Sequence, residues 1–229
     1  MAFINAKWNN LILANYVVPA DLLLPYLPKG TKLDSYHGDY FVSLVAFMFH
    51  DTKVLGLPIP FHVNFEEVNL RFYVTPENDS SKRAVVFIRE FVPRKAIELI
   101  ANSLFKENYF TTKMKHEINQ NEYSYSWQMQ KKWNKISATI ETSLKLPDSG
   151  SLDEFITEHY WGYTKSGEST TEYEVWHPQW ETCSVAKYSI DVDFGEVYGD
   201  NFSFLSKTKP HNVCFAKGSP IKVYQTKKL

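Results

Sequence analysis

The stretch Phe65-Glu66-Glu67-Val68-Asn69-Leu70-Arg71-Phe72-Tyr73-Val74 decides how the fold is read. A β-strand sends successive side chains to opposite faces. One face here carries Glu67, Asn69, Arg71 and Tyr73; the other carries Glu66, Val68, Leu70, Phe72 and Val74. The second face is apolar after its first residue. The first is wholly polar, with charges of opposite sign. In a simple sandwich the polar face points to solvent. In a barrel whose outer wall is covered, it lines a cavity instead. Glu67 and Arg71 then lie about 13 Å apart along the strand, at about 3.3 Å per residue. That is too far to pair directly, but suits two ends of one small ligand.

The surrounding chain favours β structure. Tyr40–Phe49 is continuously apolar and aromatic apart from Ser43, as expected of a strand buried on both faces. Further strands are expected at 84–91, 123–129, 136–144, 172–177, 185–194, 201–205, 213–215 and 221–224. The 123–144 pair reads as a hairpin turning near Lys132–Lys135. Helices are few. Pro19–Pro25 offers one or two turns. Pro93–Phe105 carries a 3.6-period stripe of Ala96, Ile97, Ile100, Ala101 and Leu104, with Pro93 at its first position. Ser151–Tyr160 opens with capping-box spacing between Ser151 and Glu154. The polar stretches 76–82, 117–122 and 164–171 read as turns or surface loops. With no linker or repeat, residues 1–229 read as one mostly β domain of α+β class, an antiparallel barrel or cone with short peripheral helices.

Composition excludes several classes. The 229 residues hold 25 Lys plus Arg against 26 Asp plus Glu, and 44% are hydrophobic. A chain of this size buries roughly 70% of its surface on folding, so it needs no disulfide or metal staple. Balanced charge without a basic cluster argues against a nucleic-acid partner. The longest apolar run is about 9 residues, against roughly 20 for a spanning helix, and Met1–Lys7 lack the basic segment and following apolar stretch expected of a secretory signal. The expectation is a cytoplasmic protein without a membrane partner. Cys183 and Cys214 have no metal-ligand spacing, and the seven histidines show no HxH or HxxxH pair. No metal and no cofactor are expected. Gly195–Gly199 lacks both the P-loop and the dinucleotide-binding pattern and reads as a turn.

Two further segments carry candidate chemistry. Phe87-Ile-Arg-Glu-Phe-Val-Pro-Arg-Lys95 runs from a strand into the helix after Pro93 and places Arg89, Arg94 and Lys95 near one another. A solvated surface accounts for such a basic pair. If buried instead, a desolvated lysine beside another cation becomes an amine nucleophile, and an arginine there clamps a carboxylate. Val175-Trp-His-Pro-Gln-Trp180 sets His177 between two tryptophans, either as a proton shuttle of a pocket or as a histidine bonded within an aromatic layer.

The order of these motifs resembles the bacterial family called domain of unknown function 2071, which in turn looks like a branch of the acetoacetate-decarboxylase-like superfamily. The resemblance rests on Pro19–Pro28, Leu33–Gly38, Phe65–Val74, Gly150–Tyr160 and Val175–Trp180, and spans about residues 8–224. It implies a β-barrel or cone with helices outside and, by analogy, homo-oligomers. The superfamily's decarboxylases use a Schiff-base lysine, a second lysine beside it and a strand glutamate. Glu67 matches the glutamate, and Arg89-Glu90 with Pro93-Arg94-Lys95 resembles the lysine motif. Arg94, which cannot form a Schiff base, stands at the nucleophile's place.

Three functional readings follow. In the first, the barrel binds a small, carboxylate-bearing molecule among Glu67, Asn69, Arg71 and Tyr73, with Arg94, Arg89 and His177 nearby and Trp176 and Trp180 closing the cavity. In the second, the protein is a lyase or hydratase on keto acids, with Lys95 and Glu67 catalytic. In the third, it is an interaction module without a ligand.

Overall fold

The computed structural model describes residues 2–141 and 143–229. Among the described residues fifteen strands form: β1 (Ile4–Val18), β2 (Thr31–Leu33), β3 (Tyr40–Val54), β4 (Leu57–Pro58), β5 (Phe65–Pro76), β6 (Ala84–Val92), β7 (Tyr109–Thr111), β8 (Met114–Asn119), β9 (Glu122–Met129), β10 (Lys132–Ile140), β11 (Trp161–Ser166), β12 (Ser169–Trp176), β13 (Thr182–Asp191), β14 (Asn212–Val223) and β15 (Lys227–Lys228). Four short α-helices accompany them: α1 (Ala20–Leu23), α2 (Lys95–Ile100), α3 (Leu152–Thr157) and α4 (Phe194–Tyr198).

Seven strands close into a ring. The hydrogen-bonded order is β12-β11-β6-β5-β3-β1-β14, and β14 pairs back to β12 through Val175–Val223 and Trp176–Lys222. Most of these contacts are antiparallel; β11 meets β6 in parallel. From β14 the sheet continues through β13, β10, β9 and β8. This extension lies over the outside of the ring, where His116 of β8 meets Glu66 of β5 at 2.7 Å. It buries Tyr125, Trp127 and Ile136 against the outward face of β5, β3 and β1. A second apolar cluster lines the inside, including Leu13, Val45, Phe47, Phe65 and Trp180. The β5 strand is therefore buried on both faces apart from Glu66, and its polar face points inward because the outer wall is covered.

Several sequence expectations shift. β1 is fifteen residues long because a bulge between Asn9 and Ile12, with Asn10 at φ +59°, breaks its alternation without ending the pairing. The 164–171 stretch is a hairpin of β11 and β12, and 117–122 holds the end of β8, a two-residue turn at Gln120–Asn121 and the start of β9. The β9–β10 turn falls at Gln130–Lys131, where Gln130 takes φ +49°, ahead of the expected Lys132–Lys135. β10 stops at Ile140; of the expected 136–144 strand, Thr142 lies outside the described residues. Residues 213–215 and 221–224 belong largely to the single strand β14. It passes close to Trp8 at Gly218, where φ is +79° and a Cβ would overlap the Trp8 carbonyl. The expected 201–205 strand is a 3-10 turn over Asp200–Lys207, and Gly195–Gly199 lies mostly in α4.

The helix expected over 93–105 starts later. Arg94 is its extended N-cap, α2 begins at Lys95, and a π turn over Ala101–Phe105 completes it. Pro93 therefore precedes the cap. The helix expected over 151–160 contracts to α3, capped by the Ser151 hydroxyl accepting from the Glu154 N–H.

Candidate functional site

The interior of the ring holds a cavity of about 140 Å³. Its floor is the inward face of β5, ordered Phe65, Glu67, Asn69 and Arg71, flanked on β3 by Phe49, Phe47 and Val45. β6 contributes Val85 and Phe87 and then, after a bulge at Ile88, Glu90. The extra residue switches the parity of the strand. Arg89 is carried to the outside, where it donates to the Val197 carbonyl of α4, while Glu90 turns inward opposite Asn69.

Three carboxylates line this cavity: Glu67, Glu90 and Glu107, all buried. Glu67 accepts from the Asn69 amide and the Tyr109 hydroxyl, each at 2.9 Å. Glu107 accepts from the Tyr173 hydroxyl at 2.6 Å. Burial pushes Glu67 up to about 7, against the lowering effect of these bonds and of the Arg71 charge. Burial likewise pushes Glu107 up to about 7. Glu90 is raised well above the usual carboxylate range by burial and by the charges of Glu107 and Glu67, and its Oε2 is buried without a partner. The cluster can hold and exchange protons near neutrality, as a general acid or base requires.

Beyond Asn69 along β5 the lining becomes cationic. Arg71 donates to the Ile156 carbonyl of α3 at 3.1 Å, while its Nε is buried without a partner. His159 lies beside it. Burial, then the nearby Arg83 and Arg71 charges, hold His159 well below the usual histidine range. His177 stacks on Trp180 at 4.3 Å and reaches the His159 carbonyl; burial lowers its pKa as well. Among the described residues no group of three or more His, Cys, Asp or Glu side chains could hold a metal.

The expected site residues divide. Glu67, Asn69, Arg71 and His177 line the cavity. Tyr73 is buried at its edge, hydrogen-bonded to Ser43 and packed on Phe155 and His159, and does not line it. Arg89 faces outward, as described above. Arg94 is exposed as the N-cap of α2. Lys95 points to solvent with its side chain 66% exposed, paired with Glu98 in the next turn. Its place at the first helical position, on the outer side of α2, takes it away from the glutamates. Trp180 lines the cavity, but Trp176 is 45% exposed, under the Lys222 ammonium.

The sequence profile of the uncharacterized conserved proteins grouped as domain of unknown function 2071 matches residues 5–220. The chain belongs to this family. The uncharacterized protein YqjF of Bacillus subtilis (strain 168) is 28% identical over 180 residues, covering 76% of this chain and 72% of YqjF. Solved structures extend the likeness to fold. Acetoacetate decarboxylase from Legionella pneumophila superposes with a TM-score of 0.73 at 11% identity, over 99% of this chain and 86% of that one. The enduracididine biosynthesis enzyme MppR, in its complex with pyruvate, gives 0.68 at 11% identity, over 100% and 91%. This domain of unknown function 2071 protein thus has the acetoacetate-decarboxylase-like fold.

Within this family member, Glu107, Tyr109, Tyr173 and His159 escaped the sequence reading. Glu107 and Tyr109 follow the π turn in a segment without periodicity. Tyr173 and His159 come from elements read as structural. Of the other cavity carboxylates, Glu90 did carry a signal, standing with Arg89 in the otherwise apolar run 84–92.

Proposed function

We propose that the ring cavity binds a small oxygen-bearing compound, a carboxylic or keto acid. Its oxygen end lies between Arg71 and Glu90. One observation carries this reading: the Arg71 Nε and the Glu90 Oε2 are both buried on one cavity without a partner. Each buried unpaired polar atom costs about 1–3 kcal/mol, which a ligand oxygen accepting from the guanidinium and from a protonated Glu90 would recover. The likeness in fold to MppR, described in complex with pyruvate, supports a keto acid as the first probe.

A second reading, acid–base catalysis on that compound, is favoured by Glu67 and Glu107 both being pushed up to about 7. Glu67, held by Asn69 and Tyr109, takes a proton from the carbon beside the carbonyl, while Arg71 and protonated Glu90 stabilise the enolate oxygen. This scheme uses no lysine and no Schiff base.

The test is thermal shift with pyruvate, acetoacetate and acetate, which should raise the melting temperature by linkage. Arg71→Gln should remove the shift, and Arg71→Lys should retain part of it. A shift unaltered in both would exclude Arg71 as the anchor. For catalysis, deuterium wash-in at the carbon next to the ketone, followed by NMR, should proceed on the wild type and stop in Glu67→Gln.

A further inference from the structure

The cavity has a polarity gradient. Along β5 its lining runs from Phe65 through Glu67 and Asn69 to Arg71, a span of about 20 Å at about 3.3 Å per residue. The Arg71 end is shut by α3, whose Ile156 carbonyl Arg71 holds. The Phe65 end is aromatic: Phe65 stacks on Phe49 at 4.6 Å, and Phe49 lies 5.4 Å from Phe47 and 5.8 Å from Trp8.

That aromatic end is also the mouth. β6 runs antiparallel to β5 with Phe91 opposite Val68, so α2 emerges beside Phe65. Ile97, Ile100 and Ala101 line the passage on this side, and Ile59 lines it from the 59–64 segment that enters β5. Apolar side chains stay uncovered on both banks. Ile59 and Ile100 are each 37% exposed, Leu99 58%, and Phe61 86% with φ at +66°. Helices normally bury such a stripe. Here the stripe of α2 instead borders an opening continuous with the buried polar end.

Resting on the reading of Arg71 and Glu90 as the oxygen-binding end, we infer that the ligand is amphipathic: an acid or acyl compound with an unbranched aliphatic tail. The head occupies the Arg71 end. The tail runs past Phe47, Phe49 and Phe65 and leaves between Ile59 and Ile100. The cavity volume is about 140 Å³, and Phe47, Phe49, Phe65, Ile97 and Ile100 give the tail side an aliphatic and aromatic lining.

The experiment is a calorimetric series with sodium acetate, butyrate, hexanoate, octanoate and decanoate, all below their micellar concentrations, on the wild-type protein and on Ala101→Trp, which narrows the passage. Each methylene buried should tighten binding about fourfold, the equivalent of about 0.8 kcal/mol, until the tail reaches the mouth and the gain levels off. In Ala101→Trp the octanoate-to-butyrate affinity ratio should collapse at least tenfold, with circular dichroism reporting that the variant is folded. Short acids that bind in an Arg71-dependent way with no gain on lengthening would overturn the aliphatic-tail inference and leave the head site standing. A length gain untouched by Ala101→Trp would also overturn it. Failure of every acid to bind would instead remove the head site itself. If a second copy of the chain covers the apolar rim, sedimentation will show a dimer that Leu99→Glu dissociates, with no length dependence; that result too overturns the inference.

Discussion

Glu90 stands opposite Asn69 across the β5–β6 ladder, although the alternation of β6 before its bulge would have sent it outward. The residue gained at Ile88 is what joins Glu90 to Glu67 and Glu107. A bulge that re-aims one side chain is a common device beside functional sites. Here it leaves a carboxylate atom buried and unpaired, a cost the fold carries without structural return. That cost leads to the first prediction.

Replacing Glu90 with Met should stabilise the protein, because an apolar side chain of similar size removes the desolvated carboxyl from the core. The expected gain is about 1–3 kcal/mol in urea unfolding at pH 7. The same variant should lose the thermal shift with pyruvate. A destabilised Glu90→Met would show that the carboxyl has a partner supporting the fold.

Glu107 should make stability fall as pH rises. Its folded pKa of about 7 lies above the ordinary 4.5. Below pH 4.5 the group is protonated in both states and costs nothing. Between 4.5 and 7 the folded protein keeps a proton that the unfolded chain releases, so stability is lost by up to about 1.4 kcal/mol per pH unit. Above 7 the loss is complete. Glu107→Gln does not titrate, so its stability minus that of wild type should climb by roughly 1 kcal/mol per unit between pH 5 and 7 and then flatten. The difference cancels the opposite trend of the buried histidines, His159 and His177, present in both proteins. Denaturant melts at five pH values suffice, and a difference independent of pH contradicts the raised pKa.

Gly162→Ala should damage the site without touching it. A Cβ at Gly162 would overlap the Tyr173 ring, whose hydroxyl donates to Glu107. Displacing the ring strands the carboxyl, so a loss of about 2–4 kcal/mol is expected. Tyr173→Phe, which keeps the ring and removes only the bond, should cost about 1 kcal/mol. Equal losses in the two variants would mean that the ring moves aside freely.

Lys95→Ala should change little. The side chain is solvent-exposed and its pair with Glu98 lies on the surface, where such pairs contribute about 0–1 kcal/mol. Unfolding free energy should stay within about 0.5 kcal/mol of wild type, and borohydride with acetoacetate should leave the intact mass unchanged in both proteins. A trapped adduct lost in Lys95→Ala would restore the Schiff-base mechanism.

The amino-acid order alone determined the local facts. Period-two alternation in 65–74 put Glu67, Asn69 and Arg71 on one side of one strand, and the apolar runs at 40–49 and 84–91 marked two further strands. Alternation is a backbone property, so it survives without tertiary context. Whether that polar face met water or a cavity was not a local property. It depended on the outer strands β8, β9, β10 and β13 covering the wall through Tyr125, Trp127 and Ile136. The bulges at Asn9–Ile12 and Ile88 shift phase by one residue, which a periodic pattern does not announce. Glu107 and Tyr173 enter the site from segments 40 and 106 residues beyond Glu67, brought in by ring closure. Lys95 and Arg94, neighbours in sequence of the inward Glu90, turn outward because the chain changes from a strand to a helix between them. The polar strand was legible in the sequence; the proton-holding cluster exists only once the ring closes around it.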